Sequence, residues 1–124
     1  METRESGEMY LESIYVLSQK SDAVRKIDVS KHMGFAKPSV TRGISLLEKS
    51  GLVTVDEIGN ISLTDKGRKQ AKSIYERHTV LSKVFMLLGV DEDTATEDAC
   101  RIEHYISDTT FNAIKDHLKK YTKE

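Results

Sequence analysis

Two short β-branched segments separated by a glycine turn place the strongest limit on how this chain folds. The first segment covers residues 52–55, the second covers residues 61–63, and Gly59 lies between them. This pattern predicts a β-hairpin. Two strands alone are only marginally stable in water, so the hairpin needs helices to pack against. The sequence therefore predicts a mainly α-helical fold with one small β-hairpin.

Apolar residues at helical spacing predict three helices before the hairpin and three after it. The first three cover residues 8–19, 27–33 and 37–49, and the last three cover residues 66–88, 96–106 and 108–121. Gly34 ends the second helix, and Pro38 suits the first turn of the third. This order is typical of a winged helix-turn-helix followed by a helical domain.

Charge is distributed unevenly along the chain. Residues 25–77 contain eleven Lys or Arg against six Asp or Glu, a net charge of +5, whereas the rest of the chain carries −6. A basic segment is what contacts with DNA phosphates require. A run of charge is equally compatible with an ordinary solvated surface.

The third predicted helix is the candidate recognition helix, because the first residues of such a helix enter the major groove. Arg42 can pair with guanine acceptors, and Pro38 can contact a thymine methyl group. Lys31, on the preceding helix, can hold the phosphate backbone. The candidate DNA-binding residues are Lys31, Lys37, Pro38, Ser39, Thr41 and Arg42. The same helices and hairpin also suit a protein-docking module.

One short segment combines three kinds of metal ligand. Cys100, Glu103 and His104 share one face if residues 96–106 are helical, because positions i, i+3 and i+4 are neighbours. A thiol, a carboxylate and an imidazole suit a first-row transition ion. Donors on two further helices extend the candidate set if those helices converge: Met9, Glu12, His78, Cys100, Glu103 and His104. The alternative is that the sulfur residues only pack in the core.

Other observations limit the class of protein. Cys100 is the only cysteine, which excludes an intramolecular disulfide and favours a reducing, cytoplasmic setting. No apolar run is long enough to span a membrane. A transition ion beside a glutamate also suits a metallohydrolase. Because the sequence lacks a glycine-rich phosphate loop and a nucleophile motif, we do not expect an enzyme. A metal-independent winged-helix regulator is a further alternative.

Five motifs that occur in order resemble the family of metal-dependent repressors that includes the diphtheria toxin repressor and the manganese transport regulator. They are Glu8-Met9-Tyr10-Leu11-Glu12-Ser13-Ile14-Tyr15, Pro38-Ser39-Val40-Thr41, Leu63-Thr64-Asp65-Lys66-Gly67, Arg77-His78 and Glu97-Asp98-Ala99-Cys100-Arg101-Ile102-Glu103-His104. The resemblance covers nearly the whole chain. It implies a homodimer that binds operator DNA when metal-loaded and controls metal-ion homeostasis. It also implies the short form of the family, without an SH3-like domain.

The resemblance implies two domains with metal bound between them. A winged helix-turn-helix DNA-binding domain is expected at residues 1–73, and a helical metal-binding and dimerisation domain at residues 74–124. The dimer surface is expected to include apolar residues of the last two helices that these helices cannot bury alone: Ile102, Tyr105, Ile106, Phe111, Ile114 and Leu118.

The resemblance also implies two neighbouring metal sites. The iron-responsive branch uses a ligand set that matches Met9, Cys100, Glu103 and His104. A second site is matched by Glu12, His78 and Glu103, with the Cys100 carbonyl as a further candidate ligand. The manganese-responsive branch has carboxylates in place of Met9 and Cys100. Since sulfur ligands favour softer ions, we expect Fe²⁺, with Mn²⁺ as the alternative and other divalent transition metals binding in vitro.

Overall fold

A computed structural model describes residues 4–122 of the chain, and the side chains of residues 6–121. Within residues 4–122, the elements are α1 (Arg4–Lys20), α2 (Lys26–Met33), α3 (Lys37–Lys49), β1 (Val53–Val55), β2 (Ile61–Leu63), α4 (Asp65–Leu87), α5 (Glu92–Ile102) and α6 (Asp108–Thr122). The predicted fold class, mainly α with one small hairpin, is confirmed. The chain divides into two compact units, Met1–Lys72 and Ser73–Glu124.

The first unit has a small apolar core made by its three leading helices. Leu11 and Ile14 of α1, Val29 of α2, and Val40 and Ile44 of α3 are almost completely buried. Burial of each such side chain stabilises the fold by about 1.5 to 3 kcal/mol. The helical spacing of these residues therefore directs one face of each helix to a common centre.

The turn between α2 and α3 lies where the sequence predicts it. Gly34 follows α2 with a φ of 72°, in the left-handed region that favours glycine. The Ser30 hydroxyl donates a hydrogen bond of 2.6 Å to the Phe35 carbonyl, which closes the turn. α3 then begins at Lys37, with Pro38 in its first turn.

The hairpin is antiparallel, and a backbone hydrogen bond joins it to the helical part of the unit. The Asp56 carboxylate accepts hydrogen bonds from the backbone N–H groups of Ile58 (3.0 Å) and Asn60 (2.9 Å), which fixes the turn. The Ile61 N–H donates to the Val24 carbonyl at 2.7 Å. This bond joins the hairpin to the link between α1 and α2, so the wing is part of the first unit.

A close contact between α1 and α3 sets the position of α3, the candidate recognition helix. The Tyr10 side chain is buried, and its hydroxyl donates a hydrogen bond of 3.0 Å to the Ser39 carbonyl. A Cβ atom at Gly43 would lie only 2.3 Å from the Tyr10 ring. The Phe35 ring packs edge-on against the same tyrosine, with centroids 5.9 Å apart. The two helices can approach this closely only because position 43 lacks a side chain.

We expect Gly43→Ala to lower the free energy of unfolding by about 1 to 3 kcal/mol, because the buried Tyr10 ring has to move. Gly7→Ala, on the same helix as Tyr10, is the matched control, since a Cβ there meets nothing within 4 Å. The control should be neutral or stabilising by up to about 1 kcal/mol. Urea unfolding of both variants tests this, and equal effects would show that the Gly43 contact is not tight.

Helix α5 begins four residues earlier than predicted. The sequence pattern indicated a helix over residues 96–106, whereas α5 covers Glu92–Ile102. Asp91 caps this helix, since its carboxylate accepts hydrogen bonds of 3.0 Å from both the backbone N–H and the hydroxyl of Thr94. The backbone hydrogen bond is the largest cause of the lowered pKa of Asp91. The cap and the acidic first turn fix the start of α5.

The predicted dimer surface is partly wrong. Phe111 is buried, and its ring lies 5.4 Å from the Arg77 guanidinium carbon, so it belongs to the core of the second unit. Ile102 and Tyr105 are exposed, at 39 % and 72 % of their surface. Ile106, Ile114 and Leu118 are half-buried. Periodicity correctly marked these positions as apolar, but it does not separate a core face from an exposed one.

Candidate metal centre and nucleic-acid interface

Helix α3 has one face in the core and one face open to solvent. Val40, Ile44 and Leu47 are buried on the inner face. The outer residues Lys37, Pro38, Thr41, Arg42 and Ser45 line a shallow, open depression. This surface offers two cations, two hydroxyl groups and an apolar ring to a ligand. Such a combination suits phosphates and base edges together.

The structure brings four of the six candidate DNA-binding residues onto this surface. Ser39 lies beside it and is half-buried, and Lys31 is exposed on α2. Ser45 was not predicted from the sequence, although it lies one helical turn after Thr41 and on the same face. The four-residue spacing from Thr41 could have identified Ser45 as part of this surface.

In the second unit, His78 of α4 lies beside two potential metal ligands. Its Nδ1 atom is 2.9 Å from Glu103 Oε1 and 3.7 Å from Cys100 Sγ. The Tyr75 ring stacks on the His78 imidazole, with centroids 6.3 Å apart and planes inclined by 25°. Tyr75 was not predicted from the sequence to belong to the site, although it lies one turn before His78 on α4. The imidazole therefore has an aromatic ring near one face and two potential ligands near its Nδ1 atom.

The second oxygen of the same carboxylate faces a second imidazole. Glu103 Oε2 lies 3.4 Å from His104 Nε2. Glu103 and His104 are only 1 % and 4 % exposed. A buried carboxylate is costly unless a positive charge or hydrogen-bond donors compensate it. In this structure, each oxygen of Glu103 has an imidazole nitrogen as its neighbour.

The backbone explains how this arrangement arises. Only Cys100 of the three residues lies inside α5, which ends at Ile102, so the expectation of one continuous helical face is wrong. Glu103 still has helical backbone angles, and its N–H donates to the Ala99 carbonyl at 3.0 Å. His104 follows in the turn. The chain leaves the helix just after the carboxylate, which orients His104 and Glu103 toward each other.

The donor atoms fit a divalent transition ion. Ligand atoms about 2.0 to 2.3 Å from one ion, and at right angles or wider, lie about 3 Å or more apart. The separations of His78 Nδ1 from Glu103 Oε1 (2.9 Å) and from Cys100 Sγ (3.7 Å) are compatible with this requirement. The separation of Glu103 Oε2 from His104 Nε2 (3.4 Å) is also compatible, but it involves the other oxygen of the carboxylate. Two imidazoles, a carboxylate and a thiol are also the donor types that such ions prefer.

The remaining two candidate ligands belong to the first unit. Met9 and Glu12 are three residues apart on α1, and both are half-buried. They flank Tyr10, the residue that contacts α3. The same helix therefore carries both candidate ligands and the contact that positions α3.

A winged helix-turn-helix together with a cluster of candidate metal ligands around a buried carboxylate is the combination found in metal-dependent transcriptional repressors. Residues 2–59 match the family described as iron dependent repressor, N-terminal DNA binding domain. Residues 64–124 match the iron dependent repressor, metal binding and dimerisation domain. The chain belongs to this family of metal-dependent transcriptional repressors. Its members are DNA-binding regulators, and this excludes the metallohydrolase alternative.

Individual relatives agree with this assignment. An uncharacterised HTH-type transcriptional regulator of Methanocaldococcus jannaschii is 32 % identical over 120 residues, which cover 94 % of this chain and 95 % of the relative. The HTH-type transcriptional regulator MntR of Bacillus subtilis is 31 % identical over 122 residues, which cover 98 % and 85 %.

Solved structures show the same fold. The manganese regulator SloR matches 91 % of this chain with a TM-score of 0.82 and 28 % identity. A manganese-dependent transcriptional repressor in complex with manganese matches 90 % with a TM-score of 0.81 and 27 % identity. This chain spans 53 % and 52 % of those two chains. None of the helices in residues 4–122 is long and apolar enough to cross a membrane.

We expect Glu103→Gln to weaken the binding of Mn²⁺ and Co²⁺ at least about tenfold, or about 1.4 kcal/mol. The amide keeps the shape of the side chain but removes the charge that faces both imidazoles. Isothermal titration calorimetry measures the effect, and circular dichroism checks the fold. Glu97→Gln, at an exposed position on α5, is the control and should bind like the unmodified protein. Unchanged binding by Glu103→Gln would rule out this carboxylate as a ligand.

Proposed function

We propose that this chain is an Fe²⁺-dependent repressor that binds operator DNA as a homodimer when metal-loaded and thereby controls metal-ion homeostasis. The observation that carries the proposal is the buried Glu103 carboxylate, whose two oxygens face His78 and His104. Family membership supplies the DNA-binding and metal-dependent parts of the proposal.

The metal ligands are proposed to come from both parts of the sequence. Glu103 contributes to two neighbouring metal positions. One is shared with His78 and Cys100, and the other is shared with His104. Met9 and Glu12 are assigned to the same centre on the basis of the family resemblance. When bound, a divalent ion supplies positive charge that compensates the buried carboxylate. The residues themselves set the number, kind and orientation of the donor atoms.

The outer face of α3 is proposed to enter the major groove. Arg42 pairs with guanine acceptors, Pro38 contacts a thymine methyl group, and Thr41 bonds a base edge or a phosphate. Lys31, Lys37 and Ser39 hold the phosphate backbone. The exposed positions of Lys37, Thr41 and Arg42 support this assignment.

A homodimer places two such helices on one DNA duplex. Half-sites for this class of protein lie about one helical turn apart, roughly 34 Å. Ile102 and Tyr105 support dimerisation, because both are large apolar side chains exposed on the second unit. Family members have a dimerisation domain in the region that matches residues 64–124.

The contact between α1 and α3 supports a link between metal binding and DNA binding. Met9 and Glu12 lie on α1, and Tyr10 of the same helix is hydrogen-bonded to Ser39 of α3. Restraint of α1 therefore restrains the recognition helix. A ligand shifts an equilibrium only by its preference for one arrangement. A hundredfold preference for the DNA-competent arrangement corresponds to about 2.7 kcal/mol.

The kind of donor favours Fe²⁺ over Mn²⁺. The Cys100 sulfur is close to His78, and Met9 offers a thioether on α1. Sulfur ligands favour Fe²⁺, whereas Mn²⁺ prefers oxygen. Mn²⁺ is the second candidate, because the manganese regulator SloR and a manganese-dependent repressor both share this fold at 27 to 28 % identity.

Metal-dependent DNA binding can be tested with a library of random-sequence duplexes. We expect the protein to select a two-fold symmetric site in the presence of Fe²⁺ without oxygen, and to lose at least about tenfold affinity after chelation. Arg42→Ala should weaken binding to the selected site by about 1 to 3 kcal/mol. Lys119→Ala, which removes the same charge from α6, is the control and should have little effect. Equal affinity with metal and with chelator would instead support a metal-independent regulator.

The metal preference can be tested through the sulfur of Cys100. Competition titrations without oxygen should show that Cys100→Ser lowers the ratio of Fe²⁺ affinity to Mn²⁺ affinity about tenfold, because the hydroxyl is a harder donor. Met86→Leu, which removes a sulfur from an exposed position at the end of α4, should leave the ratio unchanged. An unchanged ratio in Cys100→Ser would show that this sulfur does not select the ion.

A further inference from the structure

The residue that precedes His78 is a buried arginine with an unusual set of partners. Arg77 is only 7 % exposed, although guanidinium groups are rarely buried unless they are paired. Its Nη1 atom donates to the carbonyl of Glu103 at 3.2 Å and to the carbonyl of Ile106 at 2.6 Å. Its Nη2 atom pairs with the carboxylate of Asp108.

These partners lie in the segment that joins α5 to α6 and at the first residue of α6. The last carbonyl groups of a helix have no partner within the helix, and a buried one needs a donor from elsewhere. Arg77 supplies that donor to Glu103, the first residue after α5, and to Ile106 in the link. Asp108 is the first residue of α6. One side chain thus ties the link between two helices to α4.

The geometry connects this arginine to both sides of the proposed metal centre. His78 is its neighbour in the sequence and lies on the same helix. Glu103 is held by its backbone carbonyl, while its carboxylate faces His78 at 2.9 Å. A movement of the Glu103 backbone away from α4 would separate the two donor groups.

We propose that Arg77 is a positioning residue, which fixes the Glu103 backbone to α4 and so places the Glu103 carboxylate opposite His78. The proposal rests on the proposed function, because it requires that these two side chains bind metal. Arginine suits this role better than lysine, since its planar fork donates in several fixed directions at once. The Phe111 ring, 5.4 Å from the guanidinium carbon, supports one face of the fork.

The test compares Arg77→Lys with a nearby change that leaves the ligand segment alone. Lys115 of α6 forms an ion pair of 2.6 Å with Glu76 of α4, one residue before Arg77. Glu76→Gln therefore removes a different link between the same two helices and is the matched control. Co²⁺ is the probe, because its visible absorption spectrum reports the number and geometry of its ligands. Urea unfolding of each variant measures the structural cost separately.

We expect Arg77→Lys to bind Co²⁺ at least about tenfold more weakly and with a changed absorption spectrum, whereas Glu76→Gln binds like the unmodified protein. Asp108→Asn is the milder second variant, which keeps the arginine and weakens one of its partners. It should show a smaller change in the same direction, and it carries the test if Arg77→Lys does not fold.

Three results would contradict the proposal in different ways. If the folded Arg77 and Asp108 variants both keep the affinity and spectrum of the unmodified protein, Arg77 does not position the site, and the proposed function is unaffected. If Glu76→Gln changes binding as much as Arg77→Lys, the effect is a general loosening of the unit. If the unmodified protein does not bind Co²⁺ at all, the proposed metal centre itself is wrong.

Discussion

The candidate metal centre of the second unit is arranged around a single buried carboxylate. Glu103 is nearly inaccessible to solvent, and both of its oxygens face imidazole nitrogens. Such a group must be matched by donors or by positive charge, because the interior does not solvate it. Its position in turn depends on where α5 ends and on how the following link is held. The cap at Asp91, the end of α5 and the Arg77 contacts therefore act together on one side chain.

In the first unit, α3 is held firmly on its inner face while its outer face is open to solvent. Tyr10 and Gly43 provide close packing at one point of α3, and Val40, Ile44 and Leu47 bury its inner face. The outer face carries polar and basic groups that take no part in this packing. A firmly packed helix loses little conformational freedom when it meets a ligand, so more of the contact energy contributes to affinity.

The sequence was sufficient to predict the order of elements, because each helix has a single apolar face and the hairpin has clear turn residues. The sequence pattern placed the start of α5, the helix that contains Cys100, four residues too late. The prediction relied on apolar spacing and gave less weight to the cap at Asp91. It assigned Phe111 to a surface, because periodicity does not identify the partner of an apolar face. The contacts of Arg77 join residues about 30 positions apart, and no local pattern reveals them. The types of candidate metal ligand, in contrast, could be predicted from residue spacing and from the family resemblance.

The division of α3 into an inner and an outer face has a consequence for the evolution and redesign of such proteins. Residues 37, 38, 41, 42 and 45 line the open depression, while residues 40, 43, 44 and 47 are buried. The two sets do not overlap. The outer set can therefore be exchanged for another combination of side chains without repacking the unit. The residues that are proposed to contact DNA can in this sense change while the buried residues of the unit stay the same.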